Sequence, residues 1–218
     1  MKVAALYDVH GVRVALESVL AEVDREGMDA IVFGGDLFLG PQPAETAALV
    51  RSVDASFVRG NCDREPDEWT RSRLDDETIA RSQAWPLTVE LDGILYCHAA
   101  PKSDMRPILT DASPPERFDE ALAGVDARLV VAGHTHMQFK RDRWVNAGSV
   151  GWPNEDDVAA FWAIVSEDVE FRRTAFDIER AANEILASGW PEAETFVAEN
   201  IRAAPSRAEA TAFFESRA

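Results

Sequence analysis

The chain has 218 residues, of which 46% are hydrophobic and 28% charged. That is ordinary globular composition, and the length suits one domain with a sizeable core. A formal net charge of −17 and a sequence pI near 4.6 exclude a general binder of nucleic-acid backbones, whose affinity rests on Lys and Arg releasing counterions. A small anionic substrate stays open where bound cations reverse the local field. No stretch reaches the ~18 consecutive apolar residues of a membrane span. "MKVAALYDVHG" also meets Asp8 and His10 before a signal-peptide core could be completed. The two cysteines, Cys62 and Cys97, form no CxxC pair and fit a reducing compartment. A cytoplasmic protein with no membrane partner is expected.

In chain order, "KVAALY" reads as a strand. "VRVALESVLAEVDREG" follows as a helix, with Val12, Ala15, Leu16, Val19, Leu20 and Val23 at helical spacing before Gly27. "DAIVFGGD" is a second strand, "AETAALVRSV" after Pro43 a second helix, and "ASFVRGNCD" a third strand. The two long crossovers imply a parallel sheet. Charge-rich "EPDEWTRSRLDDETIARSQ", residues 65–83, is expected to be helical, exposed and a cap over the strand ends. "LTVELDGILYCH" reads as a hairpin turning at Asp92-Gly93. "SPPERFDEALAG" carries a capping pattern, Ser113 three residues before Glu116, and marks a helix. "ARLVVAG" is a further buried strand, and "QFKRDRWVNAG", "AAFWAIVS" and "VEFRRTAF" are expected to be antiparallel strands. Beyond Phe176, "DIERAANEILASG" and the Ala/Glu-rich tail to Ala218 read as helices, packed on the sheet or against a second copy of the chain in a homo-oligomer.

The strands end in metal-capable residues: "DVH", "GGD", "GNCD", "CH" and "GHTH". In open α/β sheets the carboxyl ends of strands are where ligands bind. Asp8, His10, Asp36, Asn61, His98, His134 and His136 are therefore expected to converge, enough for two ions with one carboxylate bridging. Mixed nitrogen and oxygen donors without thiolate suit Mn²⁺, Fe²⁺ or Zn²⁺. Two ions roughly 3.5–4 Å apart form the arrangement that hydrolyses phosphate esters. If "DVH" and "HTH" are extended, alternation points Asp8 with His10, and His134 with His136, at the same centre. The glycines before Asp36, Asn61 and His134 are expected to let the backbone bend sharply.

These five motifs, in order and approximate spacing, resemble the calcineurin-like metallophosphoesterase superfamily, and "GNCD" with "NAGSVGWP" resembles its compact bacterial and archaeal phosphodiesterase branch. The resemblance covers residues 3 to about 176, which gives a catalytic domain over 1–176 with residues 177–218 as its helical C-terminal extension. It implies an α/β (α+β) fold, a four-layer αββα sandwich of two mixed sheets flanked by helices. It also implies a metal-dependent phosphoric ester hydrolase in which Asp8, His10, Asp36 and His136 hold one divalent ion. Asp36, Asn61, His98 and His134 would hold the other, Asp36 bridging, with Mn²⁺ first and Ni²⁺, Fe²⁺, Zn²⁺ or Mg²⁺ as alternatives. Asp36, Asn61 and His98 would be the catalytic residues, and a metal-bound hydroxide would attack phosphorus in a small, nucleotide-like phosphate ester.

Two positions depart from the family pattern. Many relatives carry a His directly after the motif Asn where this chain has Cys62, a poor general acid. Leaving-group protonation would then fall to a metal-bound water, to Asp63, or to nothing. Ala147 stands where the branch often has Pro, which alters turn stiffness more than chemistry. Arg59, Arg64, Lys102 and Arg106 lie near the motifs, where they could steer phosphate, but are expected on the surface; Trp69, Trp85 and Trp152 could stack on a nucleobase but are expected to pack half-buried. Competing readings are a phosphomonoesterase, including a protein phosphatase or dinucleoside polyphosphate hydrolase, and a binding scaffold that keeps the fold but has lost catalysis. The scaffold should lack ligands, whereas every ligand position is filled here.

Overall fold

The computed structural model describes residues 1–218, and β1 (Val3–Leu6) sits at its centre with every residue buried. Along β1 successive side chains alternate between two apolar layers, as strand geometry requires. Ala4 and Leu6 face helices, while Val3, Ala5 and then Tyr7 face a second sheet. The first sheet runs in the order β10 (Val169–Thr174), β9 (Ala160–Val165), β1, β2 (Ala30–Phe33), β3 (Ser56–Phe57). The second runs β4 (Thr88–Leu91), β5 (Ile94–Cys97), β6 (Leu129–Ala132), β8 (Trp144–Ala147), β7 (Gln138–Arg141).

Thirteen buried residues, including Val32, Tyr96, Val131, Val145 and Ala163, fill the space between the sheets. The Tyr7 hydroxyl crosses that layer and donates to the Val131 carbonyl at 2.9 Å. Against the outer face of the first sheet pack α1 (Arg13–Glu26), α2 (Pro43–Arg51) and α7 (Ile178–Ala187). On the outer face of the second sheet, Phe118 and Ala121 of α6 (Pro115–Ala121) meet Cys97, Val130 and Trp144. The layers are therefore αββα, with two mixed sheets.

Several expectations need adjusting. The later strands are not uniformly antiparallel: β7 and β8 form a hairpin, but β8 lies parallel to β6, and β9 crosses back to pair antiparallel with β1. Ser113 does not cap α6, whose N-cap is Pro114 without a side-chain bond. Residues 65–83 do form helices, α4 (Glu68–Arg73) and α5 (Asp76–Gln83), each started by an Asp that accepts from a Thr N–H. None of their residues lines the cavity that opens onto the expected ligands, and their contacts run to the flank of the first sheet and the loop after β2. Trp69 donates to the Gly40 carbonyl, Trp85 stacks on Phe57, and α5 closes a cavity of about 500 Å³ against α2.

The C-terminal extension continues the main core. Ala181, Ala182 and Ile185 of α7, Phe196 of α8 (Ala193–Phe196), and Val197 and Ile201 of a π-helical turn are all buried in it. The chain then crosses residues 202–206 to α9 (Arg207–Glu215), which buries no residue of its own. No helix is long and apolar enough to cross a membrane.

Candidate active site

The loops that follow β1, β2, β5 and β6, and the start of α3 (Asn61–Arg64) after β3, meet at one edge of the two sheets. The backbone there is not extended. Asp8 (φ 51°), His10 (φ 47°), Asp36 (φ 55°), His134 (φ 69°) and His136 (φ 59°) all occupy the left-handed region that non-glycine residues rarely enter. The side chains converge because each loop turns sharply at the predicted residue itself, and strand alternation is not the cause. Each such residue carries strain of about 1–3 kcal/mol, borne by the buried frame around it.

Of the three glycines, Gly35 has a positive φ of 97°, whereas Gly60 has an ordinary φ of −91°. Gly60 and Gly133 are needed for space. A Cβ would come within 2.0 Å of Asp36 Oδ1 at Gly60 and within 2.4 Å of Asp8 Oδ2 at Gly133.

Six of the seven predicted residues are brought together by direct polar geometry around two carboxylates. Asp8 Oδ1 lies 3.3 Å from His136 Nε2, 3.8 Å from His10 Nε2 and 3.9 Å from His98 Nε2. Asp36 Oδ2 lies 3.3 Å from His98 Nε2 and 3.9 Å from His10 Nε2, so it spans both sides of the cluster. The His134 backbone N–H donates to Asp8 Oδ2 at 2.9 Å, and its ring centroid is 5.1 Å from that of His98. Asn61 borders the cluster through its neighbour: the Cys62 N–H donates to Asp36 Oδ1 at 2.8 Å.

Three imidazoles are oriented from behind. Nδ1 of His10, His98 and His136 meets the carbonyls of Leu39 (3.2 Å), Gly34 (2.9 Å) and Trp152 (2.6 Å) respectively. A carbonyl only accepts, so Nδ1 carries the proton and Nε2 is free to act as a ligand, the usual arrangement behind metal-binding histidines. Asp8 Oδ1, Asn61 Oδ1 and His98 Nε2 are buried without any hydrogen-bond partner. Orphaned buried polar atoms are rare and costly. These three are lone-pair donors on predicted ligands, so the residues present fit divalent cations.

The electrostatics agree. Burial opposes charge on His98, but Asp36 and Asp8 outweigh it and raise its pKa to about 10. His136 is raised against burial by Asp8. His10 and His134 are lowered to about 4, by burial first and then by His136 and His98 respectively. Burial pushes Asp36 and Asp8 upward, but their imidazole neighbours hold both below the usual carboxylate range. Without cations, protons on imidazoles offset the carboxylate charge, and cations would take their place.

The sequence marked Asp63 and the "NAGSVG" motif but not the supporting roles that the fold gives them. Asp63 is 3% exposed; burial and then the Asp36 charge raise its pKa to about 7, and its carboxyl oxygens accept from the backbone N–H groups of Asp36 (2.7 Å), Leu37 (3.1 Å) and Gly60 (2.9 Å). It locks the β2 loop to the start of α3. Asn146 donates to the Gly133 carbonyl and to Thr135 Oγ1, and Ser149 donates to the Asp8 carbonyl. The "NAGSVG" motif thus braces two ligand loops. Burial and the Asp36 charge push the Cys62 thiol far up, so it stays a neutral wall.

A cavity of about 910 Å³ opens onto His10, His136 and Cys62, and its outer wall is Trp152 with residues of the C-terminal extension. No lysine or arginine lines it. Arg59 and Arg64 are engaged with Asp104, Lys102 with the Ala123 carbonyl, and Arg106 with the Arg217 carbonyl. Trp152 was legible as a tryptophan beside a motif, but only the fold sets it 5.4 Å from His10.

A family profile described as "Calcineurin-like phosphoesterase superfamily domain" matches residues 1–168. An uncharacterized protein of Methanocaldococcus jannaschii is 25% identical over 233 residues, covering 87% of this chain and 94% of its own. The crystal structure of a metallophosphoesterase from Sphaerobacter thermophilus matches with a TM-score of 0.74 at 25% identity, over 90% of this chain and 97% of that one. A hypothetical protein from Pyrococcus horikoshii has the same TM-score and coverage at 18% identity, a likeness of fold.

Proposed function

The chain belongs to the calcineurin-like phosphoesterase superfamily, and from that premise we propose that it is a divalent-metal-dependent phosphodiesterase acting on a small phosphate ester in the cytosol. The reaction adds water across one P–O bond, turning a monoanionic diester into a monoester and an alcohol. Asp8, His10, Asp36 and His136 would hold one ion, and Asp36, Asn61, His98 and His134 the other, with Asp36 shared. The donor set of imidazole, carboxylate and amide oxygen favours Mn²⁺. Bound there, the cations would supply charge neutralisation and an acidified water as nucleophile.

The observation that carries this reading is the convergence of three carbonyl-oriented imidazole Nε2 atoms on two buried carboxylates, with ligand atoms left unpartnered. The protein's own residues set the rest. Asp63, Asn146 and Ser149 fix the loops, so little rearrangement is needed on binding substrate. The wall residue beside the proposed ligands is Cys62, a poor acid held neutral with a raised pKa, and Asp63 lies outside the lining, enclosed by backbone donors. That favours alcohols that leave readily as anions. The absence of a lysine or arginine in the lining favours a diester with one negative charge over a dianionic monoester.

The test is a chelator-stripped protein refilled with Mn²⁺, Ni²⁺, Zn²⁺ or Mg²⁺ and offered bis(4-nitrophenyl) phosphate and 4-nitrophenyl phosphate. Metal-dependent turnover of the diester is expected. Turnover of the monoester alone would replace this reading with a phosphatase, and no turnover with any metal would replace it with a binding scaffold.

A further inference from the structure

The cavity over the cluster has two unlike halves. Its floor is polar, made by His10, His136 and Cys62. Its roof comes from the C-terminal extension, outside the residues that match the family. There Phe213 and Phe214 of α9 face the cavity with Trp152 and Leu39, and the charged residues in the lining are Glu199 and Glu209. Phe214 reaches the cluster itself, its ring centroid 6.4 Å from that of His134. Phe213 lines the cavity and is 49% exposed, so its ring is open to a ligand. Arg217 stacks on Phe213 with its guanidinium carbon 4.1 Å from the ring centroid, but it does not line the cavity.

The roof is held by its ends. At the start of α9, Arg207 donates to Glu155 (2.6 Å), Asp111 (3.0 Å) and the Gln138 carbonyl (3.0 Å). At its end Glu215 accepts from Thr110 (2.7 Å), Ser113 (2.5 Å) and Arg117 (3.0 Å). Thr110 and Ser113 are buried, which makes this more than a surface ion pair. The contacts fix α9 across the strand ends while its aromatic side chains stay free of any core.

We propose that the C-terminal extension is the substrate-selecting element. Phe213, Phe214 and Trp152 clasp a planar, uncharged alcohol group of the phosphodiester, and Glu199 and Glu209 repel substrates carrying further phosphates. The chemistry follows from the lining. Aromatic faces gain by stacking and by burying apolar area, and need nothing charged from the ligand. Two carboxylates on the roof, with no lysine or arginine in the lining to offset them, disfavour phosphates that extend away from the floor, so selection comes from repulsion as well as attraction. The inference rests on the phosphodiesterase reading for the identity of the ligand, and on the cavity alone for the binding of its alcohol.

Two measurements on the full chain separate these. On metal-free protein, saturation-transfer NMR with benzyl alcohol is expected to give a signal that is lost in the Phe213→Ala/Phe214→Ala double variant. On the Mn²⁺-loaded protein, kcat/KM for bis(4-nitrophenyl) phosphate should exceed that for a dinucleoside tetraphosphate. The aromatic variant should lower the diester value about tenfold, mainly through KM. Glu199→Lys/Glu209→Lys should narrow the preference by about tenfold. Turnover with no saturation transfer to the wild-type chain, or substrate ratios unmoved by both variants, overturns the roof as a selector. Probe binding retained without turnover of any ester overturns the phosphodiesterase reading instead.

Discussion

The ligand loops and the α9 roof face each other across one cavity, yet they are built in opposite ways. The loops stand on strands buried on both faces. Asp8, Asp36 and His98 are almost wholly inaccessible, and their positions are set by backbone hydrogen bonds from several elements. The roof has no buried residue and is positioned by charged contacts at its two ends. A rigid frame can hold strained left-handed residues to the accuracy that metal geometry demands. A tethered surface helix can change its sequence, and with it the substrate, at little cost to the frame.

The contrast can be broken at several places, with effects that diminish outward. Removing a ligand should act most strongly: His98→Ala and Asn61→Ala are each expected to reduce bound metal and to lower activity by about 100-fold or more, with the fold intact. Metal stoichiometry from elemental analysis, unchanged in both, would refute the assignment. One step back, Asp63→Asn turns one of the two oxygens that accept from three backbone N–H groups into a donor while keeping the shape. A loss of roughly 10–100-fold in metal affinity is expected by competition with a chelating dye, and an unaltered affinity would deny Asp63 its bracing role.

In the extension, Ile185→Ala should behave as a core substitution because Ile185 is fully buried in the main cluster. A cost of about 2–5 kcal/mol in chemical denaturation is expected. Phe213→Ala, on the same extension, should stay within about 0.5 kcal/mol. Similar values for both would erase the distinction between α7 and α9. The smallest effect concerns pH. The Glu215 carboxyl is pushed up by burial, yet Ser113, Thr110 and Arg117 hold it below its ordinary 4.5. A depressed carboxylate stabilises the folded form above that ordinary value, and the contribution is lost as pH falls through the lower one. Amide exchange in α9 should therefore accelerate as pH drops below about 4.5 while β1 and β6 stay protected, once intrinsic rates are corrected. Glu215→Gln should show fast α9 exchange already at neutral pH.

Much of the frame was legible from local chemistry. Apolar runs, helical spacing before Gly27 and the Asp92-Gly93 turn mark elements that fold as their residues prefer. The candidate ligands were legible too, because few reasons other than a metal place four histidines, two aspartates and an asparagine at strand ends. What the chain could not announce is contact between segments far apart in sequence. Parallel pairing of β8 with β6, Asp63 beneath the Asp36 loop, Ser113 bound to Glu215 at the chain's far end, and the left-handed turns at Asp8 and His136 all arise from such contacts.

The charged 65–83 segment has the composition of a cap and lies on the flank, while an unremarkable Ala/Glu-rich tail covers the site. Sequence alone determined which candidate donor atoms gather at the strand ends, because metal chemistry depends on residue type and local spacing. Tertiary structure decided what stands over them, because α9 is held in place by partners such as Asp111, Glu155 and Arg117, roughly 50 to 100 residues away along the chain.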